Sequence, residues 1–167
     1  DVAIPFETTK EDYEINLDDT HLNLKIDVIP KDKDALVTGV ETIPLPPGEN
    51  KHEIVVTATD GSIRVYTLTI NREPSSNPNP KSIDITNTYD YLCDLNDIYC
   101  NYTFDKDITN YDIKYPYDTD NITFVINKLT PYQEVNIYKD NLDTPLEDFK
   151  VNLEPGINIF LIEMISE

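Results

Sequence analysis

Several kinds of residue are scarce in this chain of 167 residues, and each scarcity excludes a class of protein. Only two Cys and two His occur, and no cluster of them has the spacing of a zinc site. Lys and Arg number 13 against 32 Asp and Glu, and the net charge of −19 would repel nucleic acid and anionic membrane surfaces. No apolar run approaches the roughly 20 residues of a membrane span, so we expect no direct membrane insertion.

Helical periodicity is absent as well, whereas apolar and polar residues alternate along much of the chain. An alternation with a period of two predicts half-buried strands, and the enrichment in Ile, Val and Tyr agrees with that prediction. The sequence therefore predicts an all-β fold. The main alternating segments are Tyr13–Leu17, Leu22–Val28, Arg64–Ile70, Tyr111–Tyr115, Ile122–Ile126 and Val135–Ile137.

A segment with three prolines among small polar residues lies between Arg72 and Lys81. Such a segment cannot join a sheet interior and favours an extended connector. The sequence therefore predicts one domain at residues 1–73, a Pro-rich linker at 74–81 and a second domain at 82–167.

The two predicted domains repeat each other. Phe6 precedes Tyr13 by seven residues, and Phe104 precedes Tyr111 by seven. A second pair of matching segments is Leu45–Asn50 and Leu153–Asn158, both of which contain Pro-Gly or Pro-Pro-Gly. The offset between the copies grows from 98 to 108 residues, so we expect an insertion in the second copy, in a loop around Asp140 to Thr144.

These residues resemble the bacterial cadherin-like β-sandwich domain family, whose modules are immunoglobulin-like and stand in tandem on surface proteins. The first copy has the family's aromatic residue and Tyr, its Gly-x-Asn, its Thr-Ala-x-Asp-Gly and its final Tyr-x-Leu-x-Ile-x-Arg strand. The second copy is more divergent. The carriers are Phe6, Tyr13, Gly48–Asn50, Thr57–Gly61 and Tyr66–Arg72, with Phe104, Tyr111 and Gly156–Asn158 in the second copy.

The resemblance implies two tandem immunoglobulin/cadherin-like β-sandwich domains in an extracellular protein of a bacterial cell surface. Its implied function is that of a non-catalytic spacer or adhesion array. The implied partners are adjacent modules of the same chain and a protein or glycan of a host or a neighbouring cell. Two alternatives stay open: a module that binds a glycan or protein through Tyr89–Tyr102, and a subunit of a strand-exchanged fibre, pilus or phage structure.

In this register each module can lack one edge strand. Glu167 corresponds to Thr59, before the last strand of the first copy, and the first copy has no counterpart of Ile83–Ile85. Either the strands belong to a longer array or a neighbouring chain supplies them.

No catalytic residue is predicted. Nucleophilic catalysis needs a Ser or Cys beside a His base that a third group orients. His52 occupies a strand position that holds Phe160 in the other copy, and His21 stands at a strand start, so both are expected to be structural or surface residues.

Close carboxylates raise the question of calcium, which prefers six to eight oxygen ligands. No complete calcium loop occurs, and solvated acidic turns explain most of the clusters. No cofactor is therefore expected, with calcium as the alternative. Its candidate ligands would be Asp94, Asn96 and Asp97.

Two further predictions fall in the same part of the second domain. Cys93 and Cys100 enclose six residues and can form a disulfide in an extracellular protein, with two reduced thiols as the alternative. Tyrosine is concentrated there too, and exposed Tyr rings can bind a glycan or a protein. The predicted ligand-binding residues are Tyr89, Tyr91, Tyr99 and Tyr102.

Overall fold

The computed structural model describes residues 4–7, 9–87, 102–116 and 118–167, which contain strands and no helix. The all-β prediction is confirmed. Two compact units divide the chain: unit 1 is Asp1–Ser75 and unit 2 is Ser76–Glu167. Within the described ranges, no helix is long and apolar enough to cross a membrane. The strands are β1 Asp12–Leu17, β2 Asn23–Lys25, β3 Leu36–Thr38, β4 Thr42–Pro44, β5 Gly48–Thr57, β6 Ile63–Arg72, β7 Ser82–Asn87, β8 Asn121–Asn127, β9 Glu134–Lys139, β10 Lys150–Asn152 and β11 Phe160–Ile165.

Unit 1 has a four-stranded sheet in the order β1-β6-β5-β3 and a two-stranded sheet of β2 and β4. β6 lies between β1 and β5 in the larger sheet and pairs antiparallel with β5 and parallel with β1. The inward positions of the alternating segments form one apolar core, as the period-two pattern predicts. Its buried residues are Tyr13, Ile15, Leu17, Ile26, Leu45, Ile54, Leu68 and Ile70.

The turn between β5 and β6 is built by Asp60 and Gly61, as predicted. Gly61 takes a φ of 85°, a conformation that a side chain would resist. The Asp60 carboxylate accepts hydrogen bonds from the Ser62 amide at 2.9 Å and the Ser62 hydroxyl at 2.6 Å. These bonds stabilise the ionised carboxylate and lower the pKa of Asp60. The turn places β5 and β6 side by side over ten residue pairs.

Unit 2 has a three-stranded sheet in the order β10-β8-β7 and a two-stranded sheet of β11 and β9. Its core is separate from that of unit 1 and includes an edge-to-face contact between Phe124 and Phe160, with ring centroids 5.2 Å apart. The buried core residues are Ile85, Tyr102, Ile122, Phe124, Ile137 and Val151.

The strand pairing of unit 1 recurs in unit 2. In unit 1 Leu24 lies opposite Ile43, and in unit 2 Ile122 lies opposite Val151. The pairs of the other sheet agree as well. They are Leu36 with Thr57, Val37 with Val56 and Thr38 with Val55 in unit 1, against Glu134 with Ile165, Val135 with Met164 and Asn136 with Glu163 in unit 2.

The change of offset has a single location. β8 follows β2 by 98 residues and β9 follows β3 by 98, whereas β10 follows β4 by 108. The insertion therefore falls between the start of β9 and the start of β10. The loop between these strands, residues 140–149, includes the predicted Asp140–Thr144, and the corresponding loop of unit 1 is residues 39–41.

Among the described residues, each unit has a strand without a counterpart in the other. Among the described residues, no counterpart of β7 pairs with β2 in unit 1, and no counterpart of β6 pairs with β11 in unit 2. The predicted strand at Tyr111–Tyr115 is wrong as a strand, since residues 102–116 contain none. Its counterpart β1 pairs only with β6, and unit 2 has no such partner among the residues described.

Part of the predicted linker at 74–81 is held within unit 2. The side chain of Gln133 is only 2% exposed. Its Nε2 donates to the carbonyl oxygens of Asn77, at 2.9 Å, and Asn79, at 3.2 Å. Its Oε1 accepts from the backbone amides of Leu129, at 2.6 Å, and Thr130, at 3.4 Å. Because all four bonds are internal to unit 2, residues 77–79 are part of its folded structure.

Candidate functional site

The aromatic repeat forms the same hydrogen-bonded loop in both units. In unit 1 the Tyr13 hydroxyl lies 3.1 Å from both the amide and the carbonyl oxygen of Glu7. In unit 2 the Tyr111 hydroxyl lies 2.7 Å from the amide and 2.8 Å from the carbonyl oxygen of Asp105. Each hydroxyl accepts from the amide and donates to the carbonyl, so it fixes the segment that precedes the tyrosine. Tyr13 is 6% exposed and Tyr111 is 37% exposed.

The second repeated segment also has the same geometry in both units. Asn50 Nδ2 donates to the carbonyl oxygen of Pro46 at 2.9 Å, and Asn158 Nδ2 donates to that of Glu154 at 2.8 Å. The intervening glycines have positive φ angles, 92° at Gly48 and 107° at Gly156. These Asn side chains close a turn that leads into the strand, which is a fold-forming role.

Both histidines are bound to neighbouring parts of unit 1. His52 Nε2 lies 2.8 Å from the carbonyl oxygen of Gly39, which connects β5 to the loop after β3. His21 Nδ1 lies 2.9 Å from a carboxylate oxygen of Asp18. The same Asp18 oxygen accepts from the Thr20 hydroxyl at 2.5 Å and its amide at 3.0 Å. These hydrogen bonds, that of the Thr20 hydroxyl above all, lower the pKa of Asp18 to about 2.

Arg72 ends β6 with a side chain that is buried in unit 1. Its Nη2 donates to the carbonyl oxygen of Asp19 at 2.7 Å, and the amide of the next residue, Glu73, donates to the carbonyl oxygen of Leu17 at 2.9 Å. The last residue of the Tyr-x-Leu-x-Ile-x-Arg pattern therefore holds the loop after β1. Its role in the structure is packing and positioning of backbone.

Three exposed apolar residues stand at alternate positions at the start of β11 and just before it in unit 2. Ile157 is 90% exposed, Ile159 is 62% exposed and Leu161 is 47% exposed. The corresponding positions of unit 1 are the charged residues Glu49, Lys51 and Glu53, and Lys51 forms an ion pair with Glu49 at 3.2 Å. We call residues 156–165 the β11 edge. This surface was not predicted from the sequence, although the alternate Ile157, Ile159 and Leu161 could have indicated it.

Tyr102 lies in the core of unit 2 and is only 5% exposed. Its hydroxyl donates to the carbonyl oxygen of Ile83 at 3.0 Å, and its ring contacts that of Tyr111 edge-on at 4.9 Å. Burial raises the pKa of the Tyr102 hydroxyl, and the neighbouring Tyr111 and Asp84 add to the effect. This tyrosine, predicted as ligand-binding, is buried because its ring fills the core, and it offers no surface to a ligand.

The other predicted site residues lie outside the described residues. They include the remaining tyrosines of the ligand-binding prediction. The predicted ligand-binding surface, disulfide and calcium site therefore stay predictions. Among the residues that the structure describes, no group of three or more His, Cys, Asp or Glu side chains could hold a metal ion. The residues concerned are Tyr89, Tyr91 and Tyr99 for the ligand, Cys93 and Cys100 for the disulfide, and Asp94, Asn96 and Asp97 for calcium.

Comparison with known families agrees with the architecture of unit 1. The family described as Cadherin-like beta sandwich domain matches residues 1–73. Residues 1–73 of the chain thus form a domain of the cadherin-like β-sandwich family. No curated protein and no solved structure shows significant similarity to the chain.

The cadherin-like domain at residues 1–73 indicates a broad class of function. Domains of this family are generally non-enzymatic and typically extracellular or on a surface. Residues 1–73 are accordingly a surface or adhesion-type module in their general class.

Proposed function

We propose that the chain is a spacer and adhesion segment of a module array on a bacterial cell surface, without catalytic activity. The observation that carries this proposal is that polar side chains of unit 1 form hydrogen bonds to its own backbone. His52, Asn50, Arg72 and the Tyr13 hydroxyl each bond to backbone carbonyls or amides, so their chemistry serves the fold. The net charge of −19 supports it as well, because such a surface stays solvated.

Unit 2 is proposed to be a divergent copy of the same module. Its two hydrogen-bonded turns and the register of its strand pairs support this, since they match those of unit 1 position by position. A chain of similar modules extends by repetition, and each module supplies its own core. Its partners would then be the adjacent modules and, for adhesion, a protein or glycan of a host or neighbouring cell.

Surface exposure is tested by protease treatment of intact cells of the source organism. We expect peptides from both units to be released from intact cells in the same yield as after lysis. Release only after lysis would contradict a surface position. A cytoplasmic protein of similar abundance serves as the control for leakage.

The adhesive part of the proposal is tested on the whole chain with a glycan array and with immobilised host proteins. Saturable binding supports adhesion, and its absence on both surfaces leaves the spacer function alone. Tyr91→Ala and Tyr99→Ala then test the predicted tyrosine segment. Tyr66→Ala in unit 1 is a control that removes a ring of the same kind at another place.

A further inference from the structure

We propose that the joint between the two units, meaning the residues fixed to neither of them, consists of Ser76 alone, and that Gln133 keeps this joint short. Gln133 does so by holding the residues after Ser76 within unit 2. The inference deepens the spacer function and rests on it, since a short joint limits the length of free chain between the modules of an array.

The chain leaves unit 1 through residues that are fixed there. Arg72, the last residue of β6, pairs with Leu17 of β1, and the amide of Glu73 donates to the carbonyl oxygen of Leu17 at 2.9 Å. Pro74 follows with a φ that its ring fixes. Ser75 is the last residue of unit 1 and is only 4% exposed. The chain therefore stays attached to unit 1 as far as Ser75.

The chain enters unit 2 through residues that are fixed as well. Gln133 Nε2 donates to the carbonyl oxygens of Asn77, at 2.9 Å, and Asn79, at 3.2 Å. The amide of Lys81 donates to the carbonyl oxygen of Asn127 at 2.7 Å, just before β7 begins. Both Asn residues precede a proline, which restricts them to extended conformations. The chain is therefore held in one conformation from Asn77 onward.

Ser76 lies between these two fixed segments and is exposed. Within the part of the chain that the structure describes, it makes no hydrogen bond. Its dihedral angles are also free of the restriction that proline imposes, because Asn77 and not Ser76 precedes Pro78. Rotation about the backbone bonds of Ser76 is therefore the least hindered in the whole Pro-rich segment.

Gln133 projects from a turn that is closed by its own hydrogen bonds. Lys128 Nζ donates to the carbonyl oxygens of Pro131, at 2.9 Å, and Gln133, at 2.8 Å. The Gln133 Oε1 accepts from the amides of Leu129 and Thr130. The side chain is 2% exposed, so water cannot easily replace either of its bonded groups. Gln133 is thus a rigid positioning residue for the segment that precedes β7.

Comparison with unit 1 separates this role from the needs of the fold. Because β9 follows β3 by 98 residues, the residue of unit 1 that corresponds to Gln133 is Ala35. The amide of Ala35 donates to the carbonyl oxygen of Asp32 at 3.1 Å, so unit 1 closes its turn without an amide side chain. The module therefore does not require Gln at this position, and the side chain of Gln133 serves the segment before its own unit.

Loss of the two bonds from Gln133 Nε2 would lengthen the joint. Residues 77–80 would join Ser76, and in the extended conformation that proline favours they add about 12 Å. The residue at the position of Gln133 would thus determine how much free chain precedes the module.

The test is a measurement of backbone order parameters by ¹⁵N relaxation in the complete 167-residue chain. We expect a value below about 0.6 at Ser76 and values near about 0.85 at Asn77 and Asn79. Values below about 0.6 at both Asn residues in the unaltered chain would overturn the proposal, and this outcome needs no variant that might fail to fold.

Two variants then test the role of Gln133. Gln133→Ala introduces the residue of unit 1, and Gln133→Glu keeps the acceptor for the turn while it loses the donor. In both variants we expect the order parameters of Asn77 and Asn79 to fall from about 0.85 to below about 0.6. Ala35→Gln is the matched control, which alters the corresponding position of unit 1 and should leave both values unchanged.

The exchange protection of β8 verifies that unit 2 stays folded in each variant. With β8 protected, unchanged order parameters at Asn77 and Asn79 in the Gln133→Glu chain would overturn the role of Gln133. The readout is independent of the protease test on intact cells, so the short joint and the surface function can each fail alone.

Discussion

The residue pairs within the sheets of unit 1 correspond to those within the sheets of unit 2. The two copies of the tyrosine motif nevertheless differ greatly in burial. Tyr13 is 6% exposed and belongs to a strand, whereas Tyr111 is 37% exposed and belongs to none. The hydroxyl of each makes the same pair of backbone hydrogen bonds. The local motif is therefore independent of β6, and the strand that follows it depends on β6.

The two units show that local turns and long-range strand pairing depend on different parts of the sequence. Turns and caps form from residues close in sequence, and these survive in both units. The parallel pairing of β1 needs β6, a partner more than 50 residues away, and among the described residues it occurs only in unit 1.

The core of each unit should be equally intolerant of truncation. Ile70→Ala in unit 1 and Ile137→Ala in unit 2 each remove a fully buried side chain and should lower the free energy of unfolding of their unit by about 2–5 kcal/mol. Exchange-monitored denaturation in urea measures both, unit by unit. The exposed Ile63→Ala is the control, and a loss at Ile137 no larger than this control would contradict the assignment of a true core to unit 2.

The inclusion of residues 77–79 in unit 2 depends on Gln133. Gln133→Ala leaves two carbonyls and two amides without their partner and should destabilise unit 2 by about 1–3 kcal/mol. Faster cleavage near Asn77 in limited proteolysis would reveal the released segment. Gln133→Glu keeps the acceptor and loses the donor, so it should release the segment while retaining the turn at Leu129. Unchanged cleavage in both variants would show that other contacts hold the segment.

The two tyrosine motifs should differ in energetic weight. Tyr13→Phe removes a hydroxyl from a buried site and should cost about 1 kcal/mol, whereas water can replace the Tyr111 hydroxyl in part, so Tyr111→Phe should cost less. Thermal unfolding of the two variants, followed by NMR, provides the comparison. Equal losses would contradict the link between the burial of each hydroxyl and its contribution to stability.

Acid should destabilise the turn after β1 in unit 1. The corresponding turn of unit 2 should not respond in this way, because Pro116 stands at the position of Asp18. The folded pKa of Asp18, about 2, lies below the model-compound value of 3.8, so ionisation stabilises the turn above pH 3.8 and the effect is lost as the pH falls through 2. A carboxyl NMR titration measures this midpoint. Thr20→Val removes the largest cause and should move the midpoint toward 3.8, and a midpoint already near 3.8 in the unaltered chain would contradict the geometry.

The sequence predicts the fold well where the decisive contacts are local or repeated. The alternation at Tyr13–Leu17 and Arg64–Ile70 and the turn at Asp60 are all confirmed. The same alternation fails at Tyr111–Tyr115, because period two describes the faces of a strand and does not supply its hydrogen-bonding partner. Tyr102 was misplaced for a related reason: composition alone does not distinguish a core tyrosine from a surface one.

The role of Gln133 could not be predicted from sequence patterns. A glutamine in a polar turn has no sequence signature for burial, and its four backbone partners become visible only in three dimensions. The β11 edge is an intermediate case. Its alternate apolar residues were visible in the sequence, but the alternation alone does not tell which face of the strand is exposed.

The loop at residues 140–149 shows how freely this architecture accepts added length. It is ten residues long where unit 1 has three, and the strand pairs on both sides keep their register. Such a lengthening costs only about 1 kcal/mol in loop-closure entropy. For protein engineering, this crossover between sheets is thus a permissive insertion point, where an epitope or an affinity tag could be displayed without disturbing either sheet.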